Sequence, residues 1–256
     1  MIEIYYIISK DYINNYNINK RNYHNLNNLF NLNIYNKILI KELSPIINGD
    51  KFSSIFQFAF DKFYNENGEK YIGQLINNLK EGQGILYYNK NNDNNRIRYE
   101  GEFKKDKQEG KGIMFSSDGD KYEGEFKKDK YEGKGKYYYK NGSRYEGYYK
   151  NGVKEGKGIF YYDNGDKYDG DYKNGKKEGK GKYYYKNGSR YEGDYKNDVK
   201  EGKGIFFYNN GDKYDGDWKN DKKEGKGKMS YNKGGESEGE WKNGKFKGFF
   251  YFWWIK

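Results

Sequence analysis

The 256-residue sequence predicts an all-β fold, an elongated single-layer antiparallel sheet made of tandem β-hairpins. Three observations support this prediction. An aromatic–acid–glycine triplet recurs with a period of 23 residues, and a fixed short period indicates a repeat architecture. Within each copy, apolar and polar side chains alternate at every second residue, which is the period of a β-strand. The chain also contains 35 glycines and one proline, Pro45, as expected for a protein with many glycine turns.

The repeat can be followed through its triplets, which read Tyr-Glu-Gly or Tyr-Asp-Gly. A weaker copy at Tyr71 lacks the acid, and another at Ser237 lacks the aromatic residue. A Gly-x-Gly pair begins eleven residues after each tyrosine, and one interval is 28 residues long because residues 89–95 lengthen a link. The regular triplets begin at Tyr99, Tyr122, Tyr145, Tyr168, Tyr191 and Tyr214.

Each repeat is predicted to form one hairpin. In residues 122–126 (YEGEF), the tyrosine, glycine and phenylalanine fall on one face of a strand. The segment KKDKYE (127–132) is the predicted turn, and residues 133–139 (GKGKYYY) form the second strand. Links such as KNGSR and DNGDK contain Asn-Gly, the strongest short hairpin signal. Successive hairpins are therefore expected to pair into one continuous antiparallel sheet.

The pattern Y-E-G-E-F-K-x-x-x-x-E-G-K-G resembles the MORN repeat (membrane occupation and recognition nexus). The resemblance covers residues 63–250, in about eight copies. It implies an elongated, twisted, single-layer antiparallel sheet with cytoskeletal, membrane-associated or scaffolding roles. It also implies that such arrays dimerise through their terminal repeats. The departures lie at the ends, where Ile72 replaces the acid and Phe250 replaces a glycine.

Three segments are expected along the chain. Residues 63–250 form the MORN repeat array, and residues 251–256 form an aromatic C-terminal tail or cap. Residues 1–62 form an Asn-rich, low-complexity N-terminal segment, for which either disorder or partial helical structure is predicted. The helical alternative rests on residues 26–43, where apolar side chains recur at three- and four-residue spacing ahead of Pro45.

The repeat glycines are predicted to be structural. A phosphate-binding loop is the alternative, but no pair forms a G-x-G-x-x-G motif before a helix or a Gly-Lys-Ser/Thr motif. In the structural interpretation, the missing Cβ atoms let bulky rings of the neighbouring hairpin lie across the strand. The glycines predicted to act in this way are Gly101, Gly124, Gly133, Gly135, Gly147, Gly170, Gly193 and Gly216.

The residue types predict that the chain is not an enzyme and has no catalytic residue, cofactor or metal site. There is no cysteine and only one histidine, His24. Catalysis by a cysteine nucleophile is therefore excluded, and catalysis that needs a histidine base would depend on that single residue. The repeated acids of the triplets could act as paired carboxylates, but catalysis needs one pair with pKa values driven apart. Identical exposed copies close to Lys or Arg are better explained as alternating charges on a solvent face.

A second set of aromatic residues falls on the glycine face of the predicted sheet. In one interpretation they are core residues only. In the other they also line a binding groove, because one layer of sheet leaves that face open. The candidate groove aromatics are Phe103, Phe126, Tyr149, Tyr172, Tyr195, Trp218 and Trp241.

The formal net charge of the chain is +11, and along the array the basic residues are dispersed and interleaved with acids. This dispersed positive bias suits protein partners, cytoskeletal ones among them, or anionic lipid headgroups. It lacks the basic stripe of a nucleic-acid-binding protein, so no nucleic acid partner is predicted. The lack of cysteine and of a signal peptide predicts an intracellular location, whether cytoplasmic, cytoskeletal or peripheral at the cytoplasmic face of a membrane.

The C-terminal segment is apolar over seven consecutive residues, 249–255. If exposed, such a strand would promote aggregation. A buried last strand or a homodimer contact through the C-terminal repeats is the favoured explanation, and an interfacial membrane anchor is the third. The residues predicted to mediate self-association are Phe249, Phe250, Phe252, Trp253 and Trp254.

These observations predict a non-enzymatic scaffold or adaptor that links protein partners, cytoskeletal ones foremost, at or near membranes. One alternative is a direct binding module for anionic phospholipids or phosphoinositides. Another is a regulatory subunit of a lipid-kinase-type enzyme, since arrays that resemble this one precede lipid-kinase domains in some family members. A sugar- or choline-binding repeat is disfavoured, because only Trp218 and Trp241 supply the tryptophan that is typical of each repeat in that class.

Overall fold

The structure is a computed structural model that describes residues 61–64, 68–89 and 95–248. The predictions for the chain before residue 61, for the tail at 251–256 and for self-association through 249–254 lie outside these residues. Within them the chain forms seventeen β-strands, and no helix there is long and apolar enough to cross a membrane. The strands are β1 (Asp61–Tyr64), β2 (Lys70–Ile76), β3 (Leu79–Tyr87), β4 (Arg96–Lys104), β5 (Lys107–Ser116), β6 (Lys121–Lys127), β7 (Lys130–Tyr138), β8 (Arg144–Lys150), β9 (Val153–Tyr161), β10 (Lys167–Lys173), β11 (Lys176–Tyr184), β12 (Arg190–Lys196), β13 (Val199–Phe207), β14 (Lys213–Lys219), β15 (Lys222–Ser230), β16 (Glu236–Lys242) and β17 (Lys245–Phe246).

All seventeen strands pair into one antiparallel sheet, and the spatial order follows the chain from β1 to β17. Phe63 of β1 pairs with Tyr71 of β2, so pairing begins ahead of the first complete repeat. Each pair of strands from β2 onward forms the hairpin of one repeat. The prediction of an all-β sheet of tandem hairpins is confirmed.

A column of glycines crosses the sheet from β2 to β16. Gly124 lies opposite Gly135 within its hairpin, and Gly135 lies opposite Gly147 of the next hairpin. The same pairing recurs at every strand between Gly73 and Gly239. Because these positions have no side chain, a large ring can lie directly against the backbone. All the predicted structural glycines except Gly133 belong to this column.

The ring that covers each glycine pair comes from the same hairpin. A Cβ added to Gly135 would lie 2.6 Å from Cζ of Tyr122, and one added to Gly124 would lie 2.5 Å from the hydroxyl oxygen of that tyrosine. The hydroxyl reaches past the column and donates to the carbonyl of Glu125 at 2.9 Å. The expectation that rings of the neighbouring hairpin cover the glycines is therefore wrong, because each tyrosine extends along its own strand.

Gly133 lies at a β-bulge rather than under a ring. The pairing of β6 with β7 changes register between Gly124 and Glu125, and Gly133 has a φ of +60° there. Glycine adopts this left-handed conformation without steric cost. The atoms nearest to a Cβ added at Gly133 belong to the Glu125 carboxylate, which also accepts a hydrogen bond from the backbone N–H of Lys134 at 3.3 Å.

The turn within each repeat is shorter than predicted. β6 and β7 pair up to Lys127 and Lys130, so Lys128 and Asp129 alone form the turn, both with positive φ. Two residues with positive φ form a type I′ turn, which matches the twist of the flanking strands. The six-residue turn predicted at 127–132 is wrong, since four of those residues belong to the strands.

The Asn-Gly links between repeats form a different loop. Gly142 donates to the carbonyl of Tyr139, and Tyr139 donates to the carbonyl of Ser143, both at 3.0 Å. Gly142 has a φ of +93°, as expected for a type I turn that ends in a left-handed glycine. The side chain of Asn141 accepts from the N–H of Ser143 at 3.0 Å and holds the loop.

The glutamate before each Gly-x-Gly pair joins successive repeats. Glu132 accepts a hydrogen bond at 2.9 Å from the backbone N–H of Asn151, the first turn residue of the next repeat. Sequence reasoning assigned no role to this residue, although its 23-residue recurrence was the available signal. Equivalent bonds are formed by Glu81, Glu109, Glu155, Glu178, Glu201 and Glu224.

Candidate functional site

A first aromatic row fills the glycine face of the sheet. The seven candidate groove aromatics are only 3–8% exposed, so the structure places them in the core. Each packs edge-to-face against tyrosines: the ring centroid of Tyr149 lies 5.3 Å from that of Tyr145 and 5.2 Å from that of Tyr122. These rings offer little surface to a ligand. The core row, as we call it, consists of Tyr99, Phe103, Tyr122, Phe126, Tyr145, Tyr149, Tyr168, Tyr172, Tyr191, Tyr195, Tyr214, Trp218 and Trp241.

A second aromatic row runs beside the core row and is half-exposed. Adjacent rings are tilted against one another, with centroids 4.5–5.5 Å apart. The two-residue alternation of the predicted strand 133–139 puts Tyr137 and Tyr139 on the same face as Gly135, but the sequence analysis did not single them out. The signal was a pair of aromatic residues two and four positions after the Gly-x-Gly motif in four successive repeats, from Tyr137 to Tyr208. The ring ladder, as we call this row, consists of Tyr139, Phe160, Tyr162, Tyr183, Tyr185, Phe206 and Tyr208.

Four lysines lie between the core row and the ring ladder. The Nζ of Lys154 is 4.8 Å from the ring centroid of Tyr145 in the core row and 4.6 Å from that of Phe160 in the ladder. A cation in this position is attracted by the negative faces of the rings. The four occupy the same position in successive repeats. The lysine row consists of Lys154, Lys177, Lys200 and Lys223.

Burial makes the charge of these lysines less stable. Removal from water lowers the pKa of Lys154 to about 8, and it lowers the pKa of Lys177, Lys200 and Lys223 as well. Lys200 donates to the hydroxyl of Tyr185 at 2.8 Å. Among the described residues, none of the four forms a salt bridge. The site therefore holds partly desolvated cations. Asp198 and Asp221 lie close enough to Lys177 and Lys200 to oppose the lowering of their pKa values, but they do not form salt bridges with them.

The same position is neutral in the two repeats that precede Lys154. It holds Gln108 and Tyr131 there. Gln108 is 1% exposed and donates through its amide to the hydroxyl of Tyr88. Tyr131 stacks on Tyr122, with ring centroids 3.8 Å apart. This position on the glycine face is therefore neutral in these two repeats and cationic in the four that follow.

The opposite face of the sheet carries paired charges. Arg144 binds Glu146 at 2.7 Å and stacks over the ring of Tyr161, 4.4 Å from its centroid. Glu146 is one of the repeated triplet acids, and the structure places it in an ion pair on the solvent face. In the described ranges, no group of three or more His, Cys, Asp or Glu side chains is placed to hold a metal ion. Lysines on this face pair with acids at 2.5–2.7 Å, as in Lys157–Asp171, Lys180–Asp194 and Lys203–Asp217.

Three tyrosines of the core row bury a hydroxyl that has no hydrogen-bond partner in the described structure: Tyr149, Tyr172 and Tyr195. Phe126 stands at the equivalent position of an earlier repeat and has no polar atom to satisfy. Trp218, at the same position of a later repeat, donates through Nε1 to the carbonyl of Gly204 at 3.0 Å. The tyrosine hydroxyls thus cost stability where phenylalanine and tryptophan do not.

Among solved structures, the chain is similar to domains of the centriole protein CPAP. The TCP domain of Drosophila melanogaster SAS-4 (dCPAP), in complex with a proline-rich motif of Ana2 (dSTIL), is 15% identical with a TM-score of 0.38 and covers 70% of this chain and 88% of that chain. The TCP10 domain of Danio rerio CPAP, in complex with a peptide of Danio rerio STIL, is 10% identical with a TM-score of 0.33 and covers 70% and 83%. With TM-scores below 0.5, these similarities carry no argument about function. No curated protein matches the sequence.

The MORN repeat family model matches the chain in eight consecutive segments, which together make up more than half of its length. The matched segments are 71–92, 99–121, 122–144, 145–167, 168–190, 191–213, 214–236 and 238–249. Their common boundary falls at the tyrosine that covers the glycine column, except in the last segment. The agreement of this match with the hairpin, the column and the bulge establishes that the chain belongs to the MORN repeat family.

Proposed function

We propose that the chain is a non-enzymatic scaffold that binds a protein partner along the ring ladder and the lysine row. The ring ladder carries this proposal. It presents a continuous, half-exposed strip of aromatic rings across successive hairpins, in contact with cations. Extended apolar patches of this kind mark interaction surfaces, and tyrosine is enriched among the residues that dominate binding energy.

A scaffold role is supported by the repetition itself. The four repeats from Lys154 onward place a lysine among aromatic rings in similar surroundings, whereas catalysis needs one site whose groups differ in pKa. The sequence offers one histidine and no cysteine for such a site. A row of equal sites suits a long partner segment or several copies of one partner. An intracellular location at or near the cytoskeleton or a membrane remains part of this proposal, as the family resemblance implies.

The experiment compares two double variants of the full chain, and the residues substituted in one variant directly follow those substituted in the other. Tyr162→Ser with Tyr185→Ser removes two rings of the ladder. Tyr161→Ser with Tyr184→Ser removes the residues before them, which lie on the opposite face under Arg144 and Lys167. Partners are captured by proximity labelling in the native cell and quantified by mass spectrometry.

We expect the ladder variant to lose protein partners that the opposite-face variant retains, with thermal melting showing that both are folded. A partner set that is the same for both variants would refute binding along the ladder. Loss of membrane recruitment alone, without loss of any protein partner, would favour the anionic-lipid alternative. Loss of a lipid kinase from the captured set would identify the regulatory-subunit alternative.

A further inference from the structure

The lysine row differs from the lysines on the other face of the same strands. Lys157, Lys180 and Lys203 on the outer face have acids at 2.5–2.7 Å. The lysine row has rings around each Nζ and no salt bridge within the described residues. Lys80, at the equivalent position of the first repeat, does have an acid, Asp106, at 3.9 Å. The acids at that turn position in later repeats, Asp198 and Asp221, accept from the backbone N–H groups of Lys177 and Lys200 at 2.9 and 3.0 Å and form no salt bridge with their Nζ. Beside Lys154 and Lys223 the same position is glycine.

The absence of an ion pair at each of these Nζ atoms, within the described residues, favours an anionic occupant. Partial burial destabilises an ammonium group, and ring faces offset only part of that cost. A carboxylate placed beside the Nζ would stabilise the charged form and would itself gain a strong, charge-assisted hydrogen bond. Because the flanking ladder is aromatic and half-exposed, the backbone between the acids would contact apolar rings.

The spacing of the lysines selects the conformation of that occupant. Equivalent positions of successive hairpins are two strands apart, which corresponds to about 9.6 Å across a sheet. A polyproline II helix has three residues per turn and rises about 9.3 Å in one turn. Every third residue of such a helix points in the same direction, whereas a β-strand turns every third residue to the opposite side. Aromatic grooves also suit this preformed helix, which loses little entropy on binding.

We propose that the lysine row binds an acidic polypeptide segment in polyproline II conformation, with Asp or Glu at every third residue. The segment crosses the strands, with one acid at each of Lys154, Lys177, Lys200 and Lys223. The neutral positions at Gln108 and Tyr131 set the end of the acidic stretch. This inference rests on the proposed protein-binding function and specifies the chemistry of the partner.

The test uses two synthetic peptides of identical composition on the full chain. One has Glu-Pro-Pro repeated four times, and the other has the same four glutamates at irregular spacings. Dissociation constants are measured by fluorescence anisotropy. We expect the regular peptide to bind at least about tenfold more tightly, and Lys177→Gln with Lys200→Gln to abolish the difference. The matched control, Lys180→Gln with Lys203→Gln, alters the outer face and should retain it.

Equal binding of the two peptides, or an equal loss in the outer-face control, would overturn the proposal. Vesicles containing phosphatidylserine form a third arm. If the variant with Lys177→Gln and Lys200→Gln lost vesicle binding while neither peptide bound to the wild-type protein, the lysine row would be a lipid headgroup site and the acidic-segment proposal would fail. If a protein partner that requires the ring ladder bound normally to the variant with Lys177→Gln and Lys200→Gln, only this inference would fail and the scaffold function would stand.

Discussion

Tyr137 donates a hydrogen bond to the carboxylate of Asp120 at 2.8 Å, and the other carboxylate oxygen accepts from the N–H of Lys140 at 2.9 Å. In the next repeat, serine replaces the aspartate and phenylalanine replaces the tyrosine. Ser143 accepts only the backbone N–H of Asp163, at 3.1 Å. The carboxylate of Asp120 accepts hydrogen bonds from two donors, whereas the hydroxyl of Ser143 accepts one. The ring beside the serine, Phe160, therefore needs no hydroxyl. The tyrosine–aspartate pair returns at Tyr183–Asp166, and the phenylalanine–serine pair returns at Phe206–Ser189.

The first prediction follows from this alternation. Tyr183→Phe and Asp166→Ser each remove one side of the pair and should each destabilise the protein. The double variant recreates the pair found at Ser189 and Phe206, so its loss should be smaller than the sum. We expect a coupling of about 0.5–3 kcal/mol in the free energy of unfolding, measured by urea denaturation. Strict additivity would show that the two residues do not act as a unit.

The second prediction concerns the glycine column. Gly135→Ala would place a methyl group 2.6 Å from Cζ of Tyr122, so the ring must move. We expect a cost of about 1–3 kcal/mol, seen as a lower melting temperature. Gly152→Asn is the control, because nothing lies within 4 Å of a Cβ there and Asn78 occupies the equivalent turn position with a φ of +61°. An unchanged melting temperature of the Gly135 variant would mean that the Tyr122 ring does not pack directly against the backbone of the glycine column.

The third prediction concerns buried hydroxyls. Tyr149→Phe removes a hydroxyl that has no partner in the described structure and keeps the ring, so the protein should become more stable by about 1 kcal/mol. Tyr145→Phe is the matched comparison, since its hydroxyl donates to the carbonyl of Tyr148 at 3.2 Å. That change should destabilise by about 0.5–1.5 kcal/mol. If both variants shifted the unfolding midpoint in the same direction, the assignment of hydrogen bonds would be wrong.

The fourth prediction concerns pH. Burial lowers the pKa of Lys154 to about 8 from the ordinary value of 10.5, with Asp198 opposing and Lys177 adding to the shift. Below pH 8 the lysine is charged in both the folded and the unfolded chain. Between pH 8 and the ordinary pKa, the unfolded chain holds a proton that the folded protein has released, so the free energy of unfolding rises with pH.

This rise should be smaller in Lys154→Met, because that variant lacks the titrating group. The measurement is the urea midpoint between pH 7 and about 9, below the ordinary tyrosine pKa of about 10, and any tyrosine ionisation in the unfolded chain affects the wild-type protein and both variants alike. Lys157→Met on the outer face is the control and should keep the slope of the wild-type protein. An identical slope in the Lys154 and Lys157 variants would contradict the burial of the Lys154 ammonium group.

The 23-residue period and the two-residue alternation predicted the strands, and the Asn-Gly links predicted that successive strands pair as antiparallel hairpins. The lysine row was not predicted, because residues 127–132 and their equivalents were interpreted as a turn. Lys128-Asp129 contains neither asparagine nor glycine and so gave no sign of a two-residue turn. The signal was available at the equivalent turns Asn151-Gly152 and Asn174-Gly175. With the strands extended to Lys130, residue 131 falls on the ring face, and Lys154 falls there in the next repeat. Which oxygen of Asp120 meets which donor depends on the packing of loops 20 residues apart, and no local pattern encodes it.

The alternation of aspartate and serine at the loops also limits how the gene can change length. Duplicating one hairpin would set two like loops side by side and leave a tyrosine hydroxyl facing a serine, or a phenylalanine facing a two-oxygen acceptor. Duplicating two hairpins preserves every match. The segment YYYKNGSRYEG, identical at 137–147 and 183–193, stands 46 residues from its copy, which is one such double step. Recombination among these near-identical copies would then yield viable arrays that differ by even numbers of hairpins.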